Sequence, residues 1–551
     1  MTTSTTTTTR PTTGPSPVAY TMSAQHRRVF IALMLGMFVA SISQTIVGPA
    51  LPQIVADLGG MDHYSWVATA AMLVSAVVVP IVGKLSDLYG RKSFYLGGLA
   101  VFMLGSIISG LSTEFWVLVA GRAVQGAGMG TLMPLSQTII GDIIPPRARG
   151  KYQGFMGAVF GVTSIAGPIA GGLITDHIGW RWLFFATLPI GLVAMVFIGR
   201  FMHLPFQRRE AKIDVAGIIT LTIALVTILL ATSWGGTTYP WASTQILSLY
   251  VVGLAFVIAF VLVERRASEP LLPLRLFRSS VFSWSNVAAL GTAMVMFGSI
   301  IYIPVFAQGV LGVNATESGL ILMPMMLGMI LMGIVTGLLV TRTGRYRRFM
   351  ITGVLFMMVG IWWLSRLGVQ TSPYELFGAM TVFGVGLGMA MQQYTLVVQN
   401  VVAQRDMGVA TATTQFSRNI GSTVGIAVYG SIMTGGLTAA ISSHLPASMR
   451  DALSAKAGSL DIGAVLDPSA AQSLPPVVAD AVRAGLADQL QNSFMLGLPI
   501  LALVLIATVM IKHVPLRESV QTAEEIEKEY LDTMASTSAS DGGQVERGQA
   551  G

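Results

Sequence analysis

The chain has 551 residues, of which 53% are hydrophobic and 11% charged, and its formal net charge is +7. A soluble domain carries about 25% charged residues, so the composition excludes an ordinary soluble globular protein. There is no cysteine and the six histidines are scattered, which leaves no disulfide, no thiol chemistry and no metal-ligand spacing. The cations lie almost wholly in short loops between apolar runs, a pattern of membrane topology rather than of a nucleic-acid partner.

Residues 1–28 open on a Thr-, Ser- and Pro-rich stretch with no apolar h-region. They are expected to be a disordered cytoplasmic tail, not a secretory signal. Fourteen apolar runs follow, at 29–52, 65–83, 93–111, 115–138, 154–175, 182–200, 213–232, 245–263, 280–306, 317–340, 349–365, 374–398, 407–433 and 492–511. Runs of this length cross a bilayer as helices. An even count puts both termini on one side. The interhelical loops on that side hold the Lys and Arg residues from Lys84 through Arg405, whereas the short loops opposite hold only Arg181 and Arg366. Both termini are therefore expected in the cytoplasm, with the chain in a bacterial-type cytoplasmic membrane. The stretch 434–491 is expected to be a long outer loop with an amphipathic segment, Val477–Leu490. The tail 513–551 begins charged and then dissolves into Ser, Gly and Asp.

The segment Gly83-Lys84-Leu85-Ser86-Asp87-Leu88-Tyr89-Gly90-Arg91-Lys92 is a charged, glycine-bounded turn that forces its two neighbours to be antiparallel. Gly337 to Gly344-Arg345 repeats its spacing, with Thr341 where the first copy has Asp87. Such repeats mark transporters built from two related halves around a central site. The first loop resembles the signature loop of the major facilitator superfamily, a family of secondary transporters. Two extra spans between six-helix bundles resemble its fourteen-helix drug:proton antiporter branch. The resemblance implies an all-α polytopic major facilitator fold. Its two pseudo-symmetric six-helix bundles would occupy 29–201 and 280–512, with two linker helices in 202–279.

Ser43-Gln44-Thr45-Ile46-Val47-Gly48-Pro49-Ala50-Leu51-Pro52 combines polar residues with two prolines, which loosen a helix and free backbone groups to meet a cavity. It is similar to the antiporter segment Asp-x-Thr-Ile-Val-x-x-Ala-Leu-Pro, with Ser43 where that family usually has an Asp implicated in cation handling. Arg122, followed by Gln125 and Gly126, lies inside an apolar run. A guanidinium there costs at least about 2.5–3.5 kcal/mol and must face protein, water or the interface. The resemblance implies a part in proton transfer. Gly157, Gly161, Gly167-Pro168 and Gly171-Gly172 make a flat, bent face. They resemble the exporter motif, implying a hinge and seal between the bundles. Asp142, in the loop running on to Arg147, Arg149 and Lys151, is expected to pair with the Asp87/Arg91 turn as a cytoplasmic gate.

In the second half Gln392, Gln393 and Tyr394, then Gln415 and Arg418, put polar groups inside helices, and Met323, Met325, Met326, Met329 and Met332 crowd around Pro324. Ser43, Gln44, Gln125, Gln392, Gln393, Tyr394, Gln415 and Arg418 are the expected substrate-binding set. The helix centres hold two arginines and no carboxylate. A proton would use an end-located acid: Glu317 (also a good helix cap), Asp57 or Asp142. Neutral, amphiphilic or anionic compounds are accordingly expected as better substrates than quaternary ammonium dyes.

These readings converge on proton-driven export of small hydrophobic or amphiphilic compounds. The expected partners are substrate, protons and membrane lipids. No cofactor, metal or nucleic acid is expected, no enzymatic activity, and a monomer. An exporter of one metabolite or lipid using the outer loop is the alternative, and a non-transporting receptor or scaffold a further one.

Overall fold

The structure, a computed structural model, describes residues 22–58, 66–203, 213–236, 239–313, 320–446 and 476–517. Glu317 lies outside these residues. In hydrocarbon each backbone N–H and C=O must be paired within its own segment, and the described residues are helical almost throughout. The first part comprises α1 (Ala24–Thr45), the short α2 (Leu51–Leu58), α3 (Trp66–Tyr89), α4 (Arg91–Gly110), α5 (Phe115–Ile143), α6 (Pro146–His177) and the nearly continuous α7 (Trp182–Phe185) and α8 (Thr187–Phe201). Next come α9 (Val215–Trp234) and α10 (Thr244–Glu264). The last part comprises α11 (Ser280–Gly309), α12 (Met323–Thr343), α13 (Tyr346–Leu364), α14 (Pro373–Val401), α15 (Met407–His444) and α16 (Pro476–Met510).

Thirteen spans among the described residues are long and apolar enough to cross a membrane. The fourteenth is α5, which is rich in glycine and carries Arg122, Gln125, Ser136 and Gln137, all buried among its neighbours. Helix starts are capped as their sequences suggest. Ser23, Asp214, Ser243, Ser279 and Ser372 each accept a backbone N–H from the first turn. Lipid replaces water outside: α10 exposes Val251, Leu254, Ile258 and Leu262, one helical stripe.

Among the described residues two large buried cores form, with three smaller clusters beside them. One joins residues between Val281 and Leu516, the other residues between Val29 and Met202. Their closest backbone approaches are at two crossings, α3 against α15 and α6 against α12. Gly83 lies against the Gly408 carbonyl and Ala412. Gly150 lies against the Gly337 carbonyl, and Gly154 against Gly333. Only glycine lets backbones approach so closely. The sequence repeat has a local cause as well: Gly90 (φ 99°) and Gly344 (φ 68°) both turn the chain out of a helix in a conformation that disfavours side chains.

Two expectations need correction. The first apolar run is not one helix, because α1 stops at Thr45 and a 3-10 turn at Gly48–Ala50 precedes α2, where Pro49 withdraws a backbone donor. The stretch 434–491 is not simply a loop. The helix α15, with 38 residues, runs to His444, and α16 starts at Pro476. At 1.5 Å per residue α15 is about 57 Å long, far beyond a hydrocarbon core of roughly 30 Å. Beyond the length of a membrane span the two helices run on as an antiparallel pair. Gly485 packs on Ile441, Gly436 on Gln489, and His444 Nε2 meets Asp488 Oδ2 at 2.7 Å. The segment Val477–Leu490 is thus the first half of α16, burying Val482, Leu486 and Leu490.

A β-carbon at Gly105 would overlap the backbone of Gln125 on the neighbouring α5. Gly105→Val is expected to destabilise the first core by about 1–3 kcal/mol through overpacking. Thermal unfolding of the purified protein in detergent should then fall by several degrees; an unchanged midpoint would mean that α4 and α5 do not pack this tightly.

Candidate functional site

The end of the molecule that carries the loop cations is closed by one ion network. Asp87, at the end of α3, accepts backbone N–H groups from Gly408 (3.1 Å) and Val409 (3.0 Å). These are free donors in the first turn of α15, so the carboxylate caps a helix of the other half and meets its positive dipole end. Arg91 bridges Asp87 Oδ1 and Asp142 Oδ2. Gln404, just before α15, donates to Asp142 Oδ1. The three charged side chains are 5–12% exposed. At that burial, removing one partner strands the others without compensation.

The second copy of the repeat makes a weaker version of this contact. Thr341 Oγ1 accepts the Lys151 N–H of α6 at 3.2 Å. Arg149 turns inward and donates to the carbonyls of Ile144 (2.6 Å) and Gly141, closing its own turn, with a longer bond to Gln399 O of the other half at 3.5 Å. A third tie comes from the chain after α16. Arg147 N–H donates to Arg517 O, and Arg517 N–H to Asn400 Oδ1 at 3.1 Å.

Beneath the gate, Gln399 donates to Gln137 O (3.0 Å) and Thr411 Oγ1 (3.1 Å). This layer floors a cavity of about 110 Å³ between the halves. Gln44, Gln137, Gln392, Gln415, Asn419, Ser41, Ser75, Ser422 and Thr423 line it, together with Met37, Met72, Met129, Met133, Met156, Met329, Met391, Phe160 and Phe297. Flexible thioethers suit apolar ligands of varied shape. Arg418 is the one charged residue in the lining, and no Asp or Glu is among it. Arg418 Nη2 donates to Gln415 Oε1, while its buried Nε has no partner.

Arg122 sits differently. It is 2% exposed, so it does not reach out to the interface, and its Nε and Nη1 are both hydrogen-bonded to protein acceptors. Its Nε donates to Val67 O (3.0 Å), and its Nη1 to Ser43 O (3.3 Å), Ser43 Oγ (3.2 Å) and Gln125 Oε1. Gln125 passes the chain on to Ser106 Oγ at 2.7 Å. Ser43, Gln125 and Arg122 thus form one buried cluster joining α1, α3 and α5.

Among the expected substrate-binding residues, Gln44, Gln392, Gln415 and Arg418 meet in the cavity. Ser43 and Gln125 instead serve Arg122, Tyr394 is buried against Thr508 (3.0 Å), and Gln393 is buried away from the lining. Asp57, at the opposite end, accepts from Trp180 Nε1 at 2.8 Å beside Arg181, a tie within the first half.

Gly167 and Gly171 pack on Thr45 and Ile46 at the end of α1, also within that half, with Thr45 Oγ1 donating to Thr163 O at 2.9 Å in the stretch of α6 that holds Pro168. Gly172 meets nothing close. The close contacts with the other half come earlier on α6, where Gly150, Gly154 and Gly161 pack on α12 and Gly157 on Gln392 of α14. The lining methionines of the first half, Gln137 and Asn419 went unnoticed from sequence. Their signal was spacing: Met129, Met133 and Gln137 recur every fourth residue, and Gln415, Arg418, Asn419 and Ser422 at i, i+3, i+4 and i+7.

A helical membrane protein in two halves, with an amphipathic cavity between them that is closed at one end, is by fold and site a transporter. The Major Facilitator Superfamily profile matches residues 33–426, and the chain belongs to that superfamily. It is 36% identical over 511 residues to the Multidrug transporter protein MdtP of Bacillus subtilis (strain 168), covering 90% of this chain and 94% of that one. Multidrug resistance protein 3 of the same strain is 34% identical over 487 residues, covering 86% and 93%. Efflux pump FUS6 of Gibberella fujikuroi is 32% identical over 422 residues, covering 75% and 76%. Among solved structures, the human organic anion transporter MFSD10 (TETRAN) superposes with a TM-score of 0.58 at 14% identity, over 87% of this chain and 100% of that one. At that identity the likeness is one of fold alone.

Because the natural chain has no cysteine, a single Ser422→Cys in the cavity reports its accessibility without background. Adding Asp87→Asn is expected to raise the thiol-labelling rate about tenfold or more, since a gate weakened by about 1.4 kcal/mol opens ten times as often. Equal labelling in both proteins would remove Asp87 from the gate.

Proposed function

We propose that the protein exports small hydrophobic or amphiphilic compounds across a cytoplasmic membrane in exchange for protons, by alternating access of the central cavity. The observation that carries this reading is the cavity itself. Methionines and amides from both halves line it, and an ion network that joins the halves closes one end. The multidrug and efflux relatives support the same direction. The end bearing Lys84 through Arg405 faces the cytoplasm on this reading, with both termini there. The state described is then closed to the inside.

Asp87 and Asp142 are the groups whose protonation would loosen that closure, because a neutral Asp87 holds Arg91 and the α15 N-terminus less strongly. The Arg122 cluster keeps α1, α3 and α5 in register and couples their movement to the gate. Gln44, Gln392 and Gln415 offer hydrogen bonds to the substrate.

The test uses proteoliposomes with a pH indicator in the lumen and an imposed proton gradient. Candidate amphiphiles are expected to move protons in a compound-dependent way, and Arg122→Ala to abolish that movement. Compound flux without proton flux would leave an exporter and remove antiport. No flux of any compound would reject the small-molecule reading.

A further inference from the structure

The two buried arginines of the central region are treated in opposite ways. Arg122 finds acceptors on three helices. Arg418 is 6% exposed and forms no ion pair among the described residues. It bonds only Gln415 and leaves Nε without a partner. Gln415 in turn donates to Asn419 Oδ1 at 3.2 Å, so the amide oxygen that faces Arg418 is held in place. With no carboxylate in the lining, the cavity is an uncompensated positive site inside a low-dielectric body. A cation entering it is repelled, whereas an anion supplies the missing charge and the missing acceptors at once, and a planar carboxylate suits the guanidinium fork.

A second cavity, of about 270 Å³, shares Met72 and Thr423 with the first. Its lining, between α3, the linker helix α9, α11 and α15, includes Leu73, Leu229, Trp241, Tyr302 and Ile426, with the hydroxyl residues Thr69, Thr232, Ser233 and Ser431 among them. Thr423 stands five residues beyond Arg418 on α15, about 7.5 Å further from the gate. A charged head at Arg418 therefore has apolar space directly along the helix towards the opposite end.

We propose that Arg418 recognises one anionic, carboxylate-like group of an amphiphilic substrate, whose apolar part passes Met72 and Thr423 into the adjoining cavity. The inference rests on the exporter reading and names its substrate class: amphiphilic monoanions. The same chemistry is offered by a free carboxylate and by the headgroup of an anionic lipid.

The test measures fluorescence binding of pyrenebutyrate, pyrenebutanol and a pyrenyl trimethylammonium to the full chain in phosphatidylcholine nanodiscs, with empty discs as the blank. The carboxylate is expected to bind about tenfold or more tighter than the other two. Arg418→Gln should lose that preference while still binding the neutral alcohol, which also reports that it is folded. Arg418→Lys should keep most of it. Displacement by dodecanoate identifies a soluble source, and displacement by phosphatidylglycerol placed in the disc a lipid one. Equal binding of all three probes, a preference that survives Arg418→Gln, or displacement by neither competitor overturns the proposal. Transport of pyrenebutanol alongside equal binding would leave the exporter reading standing without it. Anion-selective binding with no transport of any compound would do the reverse.

Discussion

Closure of this molecule depends on where one carboxylate finds its donors. Asp87 belongs to the first half but accepts two backbone N–H groups of the second half's α15, and Arg91 ties it to Asp142. A helix N-terminus carries free donors and partial positive charge. A buried anion aimed at it is stable only while the halves are together. The contact therefore binds one half to the other, because anything that neutralises Asp87 weakens a bond between halves and not merely within one. The glycines at Gly83 and Gly337 let the backbones come close enough for such contacts to form.

The treatment of charge is consistent through the rest of the membrane region. Each buried ion costs several kcal/mol unless it is paired or hydrogen-bonded. Arg91, Arg122 and Arg149 meet this requirement with carboxylates or carbonyls. Glu264 does so by accepting the N–H groups of Leu271 and Leu272, which folds the connector after α10, and Lys84 anchors the same connector through Glu269 at 2.7 Å. Arg418 is the exception, and it lies where a ligand would. Stability and function separate there. The paired charges hold the scaffold, and the partly paired one faces the cavity.

Much of the scaffold was legible from composition and spacing, because a bilayer imposes a length and a polarity on each span whatever its neighbours. Gln44, Gln392, Gln415 and Arg418 were legible as cavity residues because polar groups inside apolar helices must face something other than lipid. The same logic could not separate them from Ser43, Gln125, Gln393 and Tyr394, which also avoid lipid but do so against protein. Nor could it assign the glycines of α6 to their partners. Gly150 and Gly154 touch the other half and Gly167 and Gly171 touch the end of α1, a difference set by which segments pack along α6 and not by the motif.

The sequence by itself determined the number and polarity of the spans, the two-fold repeat of the Gly83 and Gly337 turns, and the absence of carboxylates from the helix centres. Each is a property of one segment in a fixed solvent. Tertiary structure alone decided that Asp87 caps α15, that the Nε of Arg122 is paired while that of Arg418 is not, and that α15 and α16 run on as a pair beyond the length of a membrane span. Each of these depends on which donors and acceptors from distant segments arrive within about 3 Å, and hydrogen-bond geometry at that scale is a product of packing.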